Sequence, residues 1–431
     1  MKIPQHIYML GIGGIGMSAL AQLLQHQGKE VNGSDREESP VVSMLAEKGI
    51  AVAIGHDTCN IPADCGLLIY SDAVPASNAE RLRAQEMGIP ERSYFEALGE
   101  VSKNTRTIAV SGTHGKTTTT GMIAKILSDA GKKPTAIIGS IVKDFGSNFL
   151  AGSDDLLIVE ACEYRDHLLK LSPEILVITN IELDHTDYFP SLAAVQKTFR
   201  TAAEKVPAHG VIVTNPELAN VAPILQNVQA KVIDYTHKAI GSLQLVGEFN
   251  RENARAALAT ALAVAPDISP EAAVHALAAF KGSWRRFEYK GETPSGALVY
   301  DDYAHHPTAV RKTIEAAREK FPDKKIIIAF HPHLYSRTRD FMDDFAEALA
   351  AADEVVLAPI YAAREEPIPG VSSDVLAEKI SALGTSARAC ASLHDVYLYF
   401  TERYKPKAES CLIITMGAGD IYKVAEQIAG E

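Results

Sequence analysis

A glycine-rich turn between an apolar strand and a helix is the feature that most constrains how this chain folds. Residues 111–120 read SGTHGKTTTT, after the apolar run TIAV and before the helix-like stretch GMIAKILSDAG. Gly112 and Gly115 let the backbone wrap closely with its N–H groups pointing inward, and a helix that begins near Lys116 adds a partial positive charge. The stretch predicts a phosphate site in which Lys116 reaches the outer phosphates and the Thr117 hydroxyl binds magnesium.

The match to the usual phosphate-binding loop is incomplete. The pattern G-x-x-x-x-G-K-[ST] requires a glycine where this chain has the apolar Val110. The alternative interpretation is a tight strand-to-helix turn followed by a threonine-rich helix start.

A second glycine turn follows the first apolar strand, HIYML. Gly11, Gly13 and Gly16 fit G-x-G-x-x-G, and Asp35 lies near the spacing expected of a ribose-binding acid. The turn predicts a nucleotide diphosphate site on a Rossmann-like unit. A tightly packed turn without a ligand is the alternative.

Composition limits the classes of protein and partner. A chain of 431 residues predicts two or three domains, and a net charge of −12 without a long basic run makes nucleic acid a poor partner. The five cysteines form no C-x-x-C pair, and the N-terminus passes directly into a strand rather than into a signal peptide. No apolar run is long enough for a membrane span. We therefore expect a cytoplasmic protein. Monomer and homodimer are both expected as assembly states, and the sequence does not distinguish them.

Polar side chains end two later apolar strands, DLLIVEAC and EILVITNI. Glu160 and Glu163 follow the first strand, and Asn180, Asp184 and His185 follow the second. Unbroken apolar strands are typical of a parallel sheet covered by helices on both faces, and ligands collect at the carboxyl ends of its strands. Oxygen ligands with one imidazole beside a phosphate loop favour magnesium over zinc.

The whole chain predicts an α/β fold of three units in series. The third unit alternates apolar strands with amphipathic helices in a doubly wound pattern. We predict domains over residues 1–104, 105–294 and 295–431.

A series of motifs makes the chain resemble the Mur ligase family over nearly its whole length. In chain order they are GIGGIGMSALA, SGTHGKTTTT, EACEY, TNIELDH, GEFNRENARAA, RRFE, DDYAHHPT, HPHLYSRTRD, YAAREEPIPG and GAGDI. The resemblance implies a Rossmann-like UDP-binding domain, a central P-loop ATPase domain with a mainly parallel sheet, and a Rossmann-like C-terminal domain. It implies ATP-dependent ligation of L-alanine to UDP-N-acetylmuramate through an acyl phosphate, with two magnesium ions.

The resemblance also implies roles for individual residues. The UDP-linked substrate would contact Gly11, Gly13, Gly14, Ile15, Gly16, Ser34, Asp35 and Ser71. ATP would contact Gly112, Thr113, His114, Gly115, Lys116, Thr117, Thr118, Asn250, Asn253, Arg286 and Asp302. Magnesium would be held by Thr117, Glu160 and His185. The amino acid and domain closure would involve Tyr303, His305, His333 and Arg337. Catalysis would depend on Lys116, Glu160, His185, His305 and Arg337.

Four positions depart from patterns common in the family. Cys162 replaces an acid in E-A-D-E, Phe249 replaces a histidine, and Leu334 replaces an arginine that would contact the anionic substrate. Phe199 stands, by spacing, where ligases that add later residues carry a carbamoylated lysine. The alanine-adding branch also lacks that lysine.

Three other functions compete with this interpretation. A recycling ligase that joins a tripeptide to UDP-N-acetylmuramate shares both glycine loops, although HPHLYSRTRD favours the alanine-adding branch. A nicotinamide-dependent oxidoreductase would explain GIGGIG and Asp35 but not SGTHGKTTTT. A noncatalytic nucleotide-binding regulator would not need Lys116 or Glu160.

Overall fold

The protein is described by a computed structural model that covers residues 3–153, 155–363, 365–403 and 410–430. Arg364, in the motif YAAREEPIPG, lies outside the described residues. The chain divides into two compact units. Unit 1 comprises Met1–Ile181, Val195–Gly241 and Asn253–Phe280. Unit 2 comprises Glu182–Ala194, Ser242–Glu252 and Lys281–Glu431.

The first sheet of unit 1 is parallel and has the strand order β3-β2-β1-β4-β5. Its strands are β1 His6–Leu10, β2 Glu30–Asp35, β3 Ala51–Ile54, β4 Leu67–Tyr70 and β5 Glu91–Ser93. The helices that accompany it are α1 Ile15–His26, α2 Pro40–Glu47, α3 Ala79–Glu86 and α4 Tyr94–Ser102. Because β1 lies between β2 and β4, the strand order reverses beside it, which is where α/β sheets bind ligands.

Local sequence signals explain where these helices begin. The Ser39 side chain accepts a hydrogen bond from the Val42 N–H, with Pro40 in the first turn of α2. Ser93 and Glu96 form a reciprocal capping box that starts α4.

The second sheet of unit 1 has the order β12-β11-β10-β6-β9-β7-β8. Its strands are β6 Arg106–Ser111, β7 Thr135–Val142, β8 Ser147–Leu150, β9 Leu156–Glu160, β10 Ile175–Ile178, β11 Val211–Thr214 and β12 Lys231–Asp234. The helices of this part of the chain are α5 Lys116–Asp129, α6 Leu192–Glu204, α7 Glu248–Val264 and α8 Pro270–Ala279. The strands are parallel except for the edge strand β8, which pairs antiparallel with β7. The central apolar strands are buried, as a sheet covered on both faces requires.

The two sheets of unit 1 are joined by a buried polar contact between α1 and β8. Asn148 donates to the Ile15 carbonyl at 2.6 Å and to the Ser18 hydroxyl at 3.0 Å, and it accepts from Gln22 at 3.2 Å. Because each buried polar group has a partner, this contact anchors the helix that follows the first glycine turn to the second sheet.

The sheet of unit 2 has the order β13-β14-β18-β15-β16-β17 and is parallel except for the edge strand β13. Its strands are β13 Glu288–Glu292, β14 Leu298–Asp302, β15 Lys325–Phe330, β16 Glu354–Leu357, β17 Ser386–Ala389 and β18 Cys411–Met416. Its helices are α9 Pro307–Lys320, α10 Tyr335–Asp340, α11 Met342–Leu349, α12 Ser373–Ala382, α13 Leu393–Arg403 and α14 Tyr422–Gly430. Alternate residues of β15 pack into two separate apolar cores. Ile326 and Ile328 belong to one core, and Ile327 belongs to the other.

The predicted α/β architecture with mainly parallel sheets is confirmed. The domain limits 1–104, 105–294 and 295–431 stay predictions, and the edge strand β13 lies before residue 295. Among the described residues, no helix has the combined length and apolar character needed to cross a bilayer.

Candidate active site

The lysine loop between β6 and α5 has a backbone that only glycine permits. Gly112 has φ 132° and Gly115 has φ 85°, both in the region that side chains disfavour. A Cβ atom at Gly112 would lie 2.0 Å from the Thr179 hydroxyl, and one at Gly115 would lie 2.2 Å from Asn253 Oδ1. The loop is therefore a close-packed cradle of backbone groups at the start of α5, and the phosphate site stays a prediction.

The end of β10 supports this cradle from the adjacent strand. Asn180 accepts the His114 N–H through Oδ1 at 2.9 Å and the Thr113 N–H through its carbonyl at 3.1 Å. The Thr179 hydroxyl donates to the His114 carbonyl. These bonds hold the loop in a defined conformation.

Lys116 is held among carboxylate and carbonyl oxygens. Its Nζ lies 2.9 Å and 3.2 Å from the two carboxylate oxygens of Glu163, and it also donates to the carbonyls of Gly112 and Thr113. Burial alone would lower the pKa of Lys116, but Glu163 and Glu160 outweigh that effect and raise it. The lysine is therefore a permanent cation at the mouth of the cradle.

The residues around the cradle suit a phosphate with a hard cation. Thr117 and Thr118 follow Lys116 in the first turn of α5 and are buried. Glu160 ends β9 and accepts the Gly139 N–H at 2.8 Å. A Cβ atom at Gly139 would lie 2.3 Å from Glu160 Oε2, so this contact requires glycine. A hydroxyl and a carboxylate are ligand types that magnesium prefers. The third predicted ligand, His185, belongs to unit 2, whereas Thr117 and Glu160 belong to unit 1.

Cys162, the departure in EACE, lies between Glu160 and Glu163. Burial raises the pKa of its thiol to about 12. The side chain is therefore neutral at pH 7 and leaves one negative charge fewer near Lys116 than an acid would.

Several N–H groups of the N-terminal glycine loop donate hydrogen bonds to the end of β2. Gly11 and Ile12 donate to the Ser34 carbonyl at 2.8 Å and 3.1 Å, and Gly13 donates to Asp35 Oδ2 at 2.8 Å. Asp35, which is predicted to bind the substrate, thus also accepts a hydrogen bond from the loop backbone. Gly16 packs closely against Tyr94, so that a Cβ atom at this position would lie 2.8 Å from the ring.

One cavity of unit 1, of about 380 Å³, is lined by both sheets. Its walls include residues predicted for the UDP-linked substrate, namely Gly14, Ile15, Gly16 and Ser71, together with Glu160 and Cys162. The N-terminal glycine loop and the carboxylate at the end of β9 therefore line one cavity.

Sequence patterns did not identify several side chains of this cavity. His167 stacks on Phe95 with ring centroids 3.7 Å apart, and its Nε2 lies 2.7 Å from Asp72 Oδ2. Tyr94 and Tyr164 complete this wall. The capping box at Ser93 could have located Tyr94 at a helix start, but no local motif marks His167.

In unit 2, Asp184 and Arg337 form a buried ion pair. Arg337 donates to Asp184 Oδ1 through Nε at 3.0 Å and Nη2 at 2.8 Å, and its Nη1 lies 3.1 Å from His333 Nδ1. Burial alone would raise the pKa of Asp184, but the Arg337 guanidinium holds it well below its usual range. The predicted residues Arg337 and His333 are thus brought together with Asp184, the neighbour of His185.

His305 has the electrostatics of a neutral imidazole. Burial and the Arg337 charge hold the pKa of His305 well below its usual value. Its Nδ1 lies 2.9 Å from the Tyr303 carbonyl, and a carbonyl can only accept, so Nδ1 donates and Nε2 is the acceptor nitrogen.

The RRFE motif contributes a buried arginine other than the predicted one. Arg285 pairs with Asp301 at 2.8 Å and donates to the Gly419 carbonyl at 2.9 Å. Both guanidinium groups lie near the Tyr303 ring, 5.2 Å from its centroid for Arg285 and 5.1 Å for Arg286, but of the two only Arg285 is buried. Asp302 accepts the Phe287 and Ala304 N–H groups at 2.7 Å and 2.8 Å. Because two arginines stand side by side, the sequence could not show which of them is buried and paired with Asp301.

The predicted adenine-site asparagines lie in different units. Asn250 belongs to unit 2 and donates to the Val246 carbonyl at 2.8 Å, while Asn253 belongs to unit 1 beside Gly115. Phe249 packs at Gly247 in unit 2, and Phe199 is fully buried in α6.

Leu334 adopts φ 69°, which is unusual for a leucine. Its N–H donates to the Tyr361 carbonyl at 2.9 Å, and the Tyr361 ring stacks on His333 with centroids 5.5 Å apart. Tyr361 was not singled out from the sequence, although it opens the motif YAAREEPIPG.

Replacing Gly115 by alanine is expected to weaken ATP binding by about tenfold or more, because the added Cβ forces either φ 85° or Asn253 to change. The measurement is the Kd of ATP by titration calorimetry. Gly131→Ala is the matched control, since Gly131 has φ 73° but no atom within 4 Å of the added Cβ. An unchanged ATP affinity in Gly115→Ala would contradict the cradle.

Family models match the three parts of the chain. The Mur ligase family catalytic domain matches residues 6–106, the Mur ligase middle domain matches residues 110–241, and the Mur ligase glutamate ligase domain matches residues 285–419.

Curated relatives match over the full length. UDP-N-acetylmuramate–L-alanine ligase of Desulfitobacterium hafniense (strain Y51) is 38% identical, with 99% of this chain and 100% of the relative covered. The ligase of the same name from Caldicellulosiruptor bescii is 38% identical, with coverage of 98% and 97%.

Among solved structures, UDP-N-acetylmuramate-alanine ligase MurC of Thermotoga maritima superposes with a TM-score of 0.80 at 27% identity, covering 99% of this chain and 98% of that one. A murein peptide ligase of Psychrobacter arcticus 273-4 has a TM-score of 0.72 at 23% identity, covering 99% and 98%. The second likeness concerns the fold alone.

Proposed function

The chain belongs to the Mur ligase family, and on that premise we propose that it joins L-alanine to the lactyl carboxylate of UDP-N-acetylmuramate, with ATP converted to ADP and phosphate. This reaction adds the first amino acid in peptidoglycan precursor synthesis. Full-length identity of 38% to ligases with this name supports the choice of L-alanine.

The observation that carries the proposal is the shared cavity of unit 1. Its lining includes both the N-terminal glycine loop and Glu160, and Glu163, three residues later, contacts Lys116. A UDP-linked sugar acid held at the glycine loop would therefore extend its carboxylate toward the lysine loop. A dehydrogenase would need the first loop only.

The chemistry starts from a carboxylate that is a poor electrophile. Its oxygen attacks the γ-phosphorus of ATP, the bond to the ADP oxygen breaks, and an acyl phosphate forms. Lys116 and the loop N–H groups hold the phosphates and stabilise the charge that gathers on their oxygens. We propose that Thr117 and Glu160 hold magnesium, which would neutralise phosphate charge when bound. The role of His185 as a ligand and the presence of two ions rest on the family resemblance.

The second step forms the amide bond. The L-alanine amine attacks the acyl carbon, and phosphate leaves with the electrons of the C–O bond. The amine must first lose a proton, and the neutral Nε2 of His305 is the acceptor that we propose for it. In this proposal Arg337 holds His333, and Asp184 fixes the guanidinium.

The decisive experiment measures phosphate release from ATP with magnesium and UDP-N-acetylmuramate, in parallel with L-alanine, with the tripeptide and with neither. Release that depends on L-alanine, with a product heavier by one alanyl residue, is the expected result. Release with the tripeptide alone would assign the chain to the recycling ligases. Absence of release in every arm would favour the noncatalytic regulator.

We retain 1–104, 105–294 and 295–431 as the domain limits and the cytoplasm as the location, where ATP and the UDP-linked precursor are available. Monomer and homodimer remain the two proposed assembly states.

A further inference from the structure

Glu80, at the start of α3, is a buried carboxylate that the proposed mechanism does not use. Its side chain is fully buried, and its N–H donates to the Asn78 side chain that caps the helix. Burying a carboxylate is costly unless its oxygens are hydrogen-bonded. The groups that donate hydrogen bonds to the Glu80 carboxylate therefore indicate which part of the structure it positions.

The two oxygens of Glu80 bind two different groups of donors. Oε1 accepts from Tyr8 at 3.0 Å and from Asn60 at 2.8 Å. Oε2 accepts from the Ser34 hydroxyl at 2.7 Å and lies 2.7 Å from His56 Nδ1. One carboxylate thus connects α3 with β1, β2, the turn after β3 and the 3₁₀ turn over Thr58–Asn60.

The Oε2 side leads directly to the N-terminal glycine loop. Ser34, whose hydroxyl donates to Glu80, accepts the N–H groups of Gly11 and Ile12 through its own carbonyl. The adjacent Asp35 accepts the Gly13 N–H. The position of the loop backbone therefore depends on Ser34 and Asp35, and the Ser34 side chain is held by Glu80.

His56 is the second group that Oε2 orients. Its Nδ1 faces Glu80 and lies 3.2 Å from the Ser34 hydroxyl, while the side chain keeps 24% of its surface exposed. The ring is therefore anchored on its buried side at the same sheet edge as the glycine loop.

We propose that Glu80 is a positioning residue for the UDP group: through Ser34 and His56 it sets the conformation in which the N-terminal glycine loop binds the nucleotide diphosphate. This inference deepens the proposed function and rests on its assignment of the first loop to UDP. The Oε1 contacts with Tyr8 and Asn60 stabilise the fold, whereas the Oε2 contacts serve binding.

The test variant is Glu80→Gln, which keeps the size but has one acceptor oxygen in place of two. The expected result is a UDP Kd, measured by titration calorimetry, that rises about tenfold or more, as for loss of a charge-assisted hydrogen bond. The KM for UDP-N-acetylmuramate rises in parallel, while kcat and the KM values for ATP and L-alanine change by less than about twofold.

Tyr8→Phe is the matched control, because it removes a donor from Oε1 of the same carboxylate. It is expected to lower the melting temperature and leave the UDP Kd unchanged. The double variant Ser34→Ala/Glu80→Gln is expected to bind UDP no more weakly than Glu80→Gln, since both changes interrupt one chain of contacts.

A Glu80→Gln protein with unchanged UDP affinity would overturn the proposal, as would a Tyr8→Phe protein with an equal loss. An additive double variant would also overturn it. Because UDP binding is measured without ATP or L-alanine, a wild-type protein that binds UDP but does not ligate L-alanine would contradict the proposed function and leave this inference intact.

Discussion

Replacing Lys116 by alanine is expected to reduce ATP-dependent ligation by about 10³-fold or more, while the affinity for UDP-N-acetylmuramate stays within about twofold. The lysine is the cation of the glycine cradle, and its amine contacts Glu163 and two loop carbonyls. In the proposed mechanism, its removal takes away the charge that would stabilise the transferred phosphoryl group. The N-terminal glycine loop has its own contacts with Ser34 and Asp35, so binding there is preserved.

The measurement pairs the rate of phosphate release with a direct titration of UDP-N-acetylmuramate. Lys125→Ala is the matched control, because Lys125 lies on the same helix and pairs with Asp129 outside the loop. It should leave both quantities unchanged. Equal loss of ligation and of UDP-substrate binding in Lys116→Ala would refute the assignment of two separate nucleotide sites.

The second large effect is expected on stability. Asp184→Ala leaves the Arg337 guanidinium buried without its partner and should lower the free energy of unfolding by about 3–5 kcal/mol. Denaturant unfolding at pH 7 measures the change. Arg339→Ala, which breaks an exposed pair with Asp340 in the same region of the chain, should cost no more than about 1 kcal/mol.

The pH dependence of the Asp184 contribution has a definite sign. Because Arg337 lowers the pKa of folded Asp184, the stabilisation is fully present above the ordinary carboxyl pKa of about 3.9. It is lost as pH falls through the lower, folded value. The difference in stability between wild type and Asp184→Ala should therefore shrink in acid, and a difference that grew in acid would contradict the ion pair.

The glycine loops could be predicted because their chemistry is local. Gly112, Gly115 and Lys116 are separated by few residues, and the conformational demand of such a turn can be read from residue type. The same reasoning identified Glu160 at the end of a buried strand. The parallel sheets followed from apolar runs without alternation, as in β6 and β10.

Contacts between distant residues could not be predicted in this way. Arg337 is 153 positions from Asp184, and Glu80 binds Ser34 across 46 positions. Neither pair follows from a repeating pattern, because each depends on how separate elements pack. Arg285 and Arg286 are adjacent and identical in type, so only packing distinguishes the buried one from its neighbour. Motif order therefore predicted the family more completely than the partners of each residue.

Cys162 places a thiol of low reactivity in the cavity of unit 1. Because burial raises the pKa of its thiol, Cys162 forms the thiolate less readily at pH 7 than an exposed cysteine does. Oxidants and alkylating reagents act on the thiolate, so we expect this sulfur, which lines the same cavity as Glu160, to react slowly with them. At a position that commonly holds an acid in the family, this chain therefore carries a thiol whose burial disfavours the reactive anion.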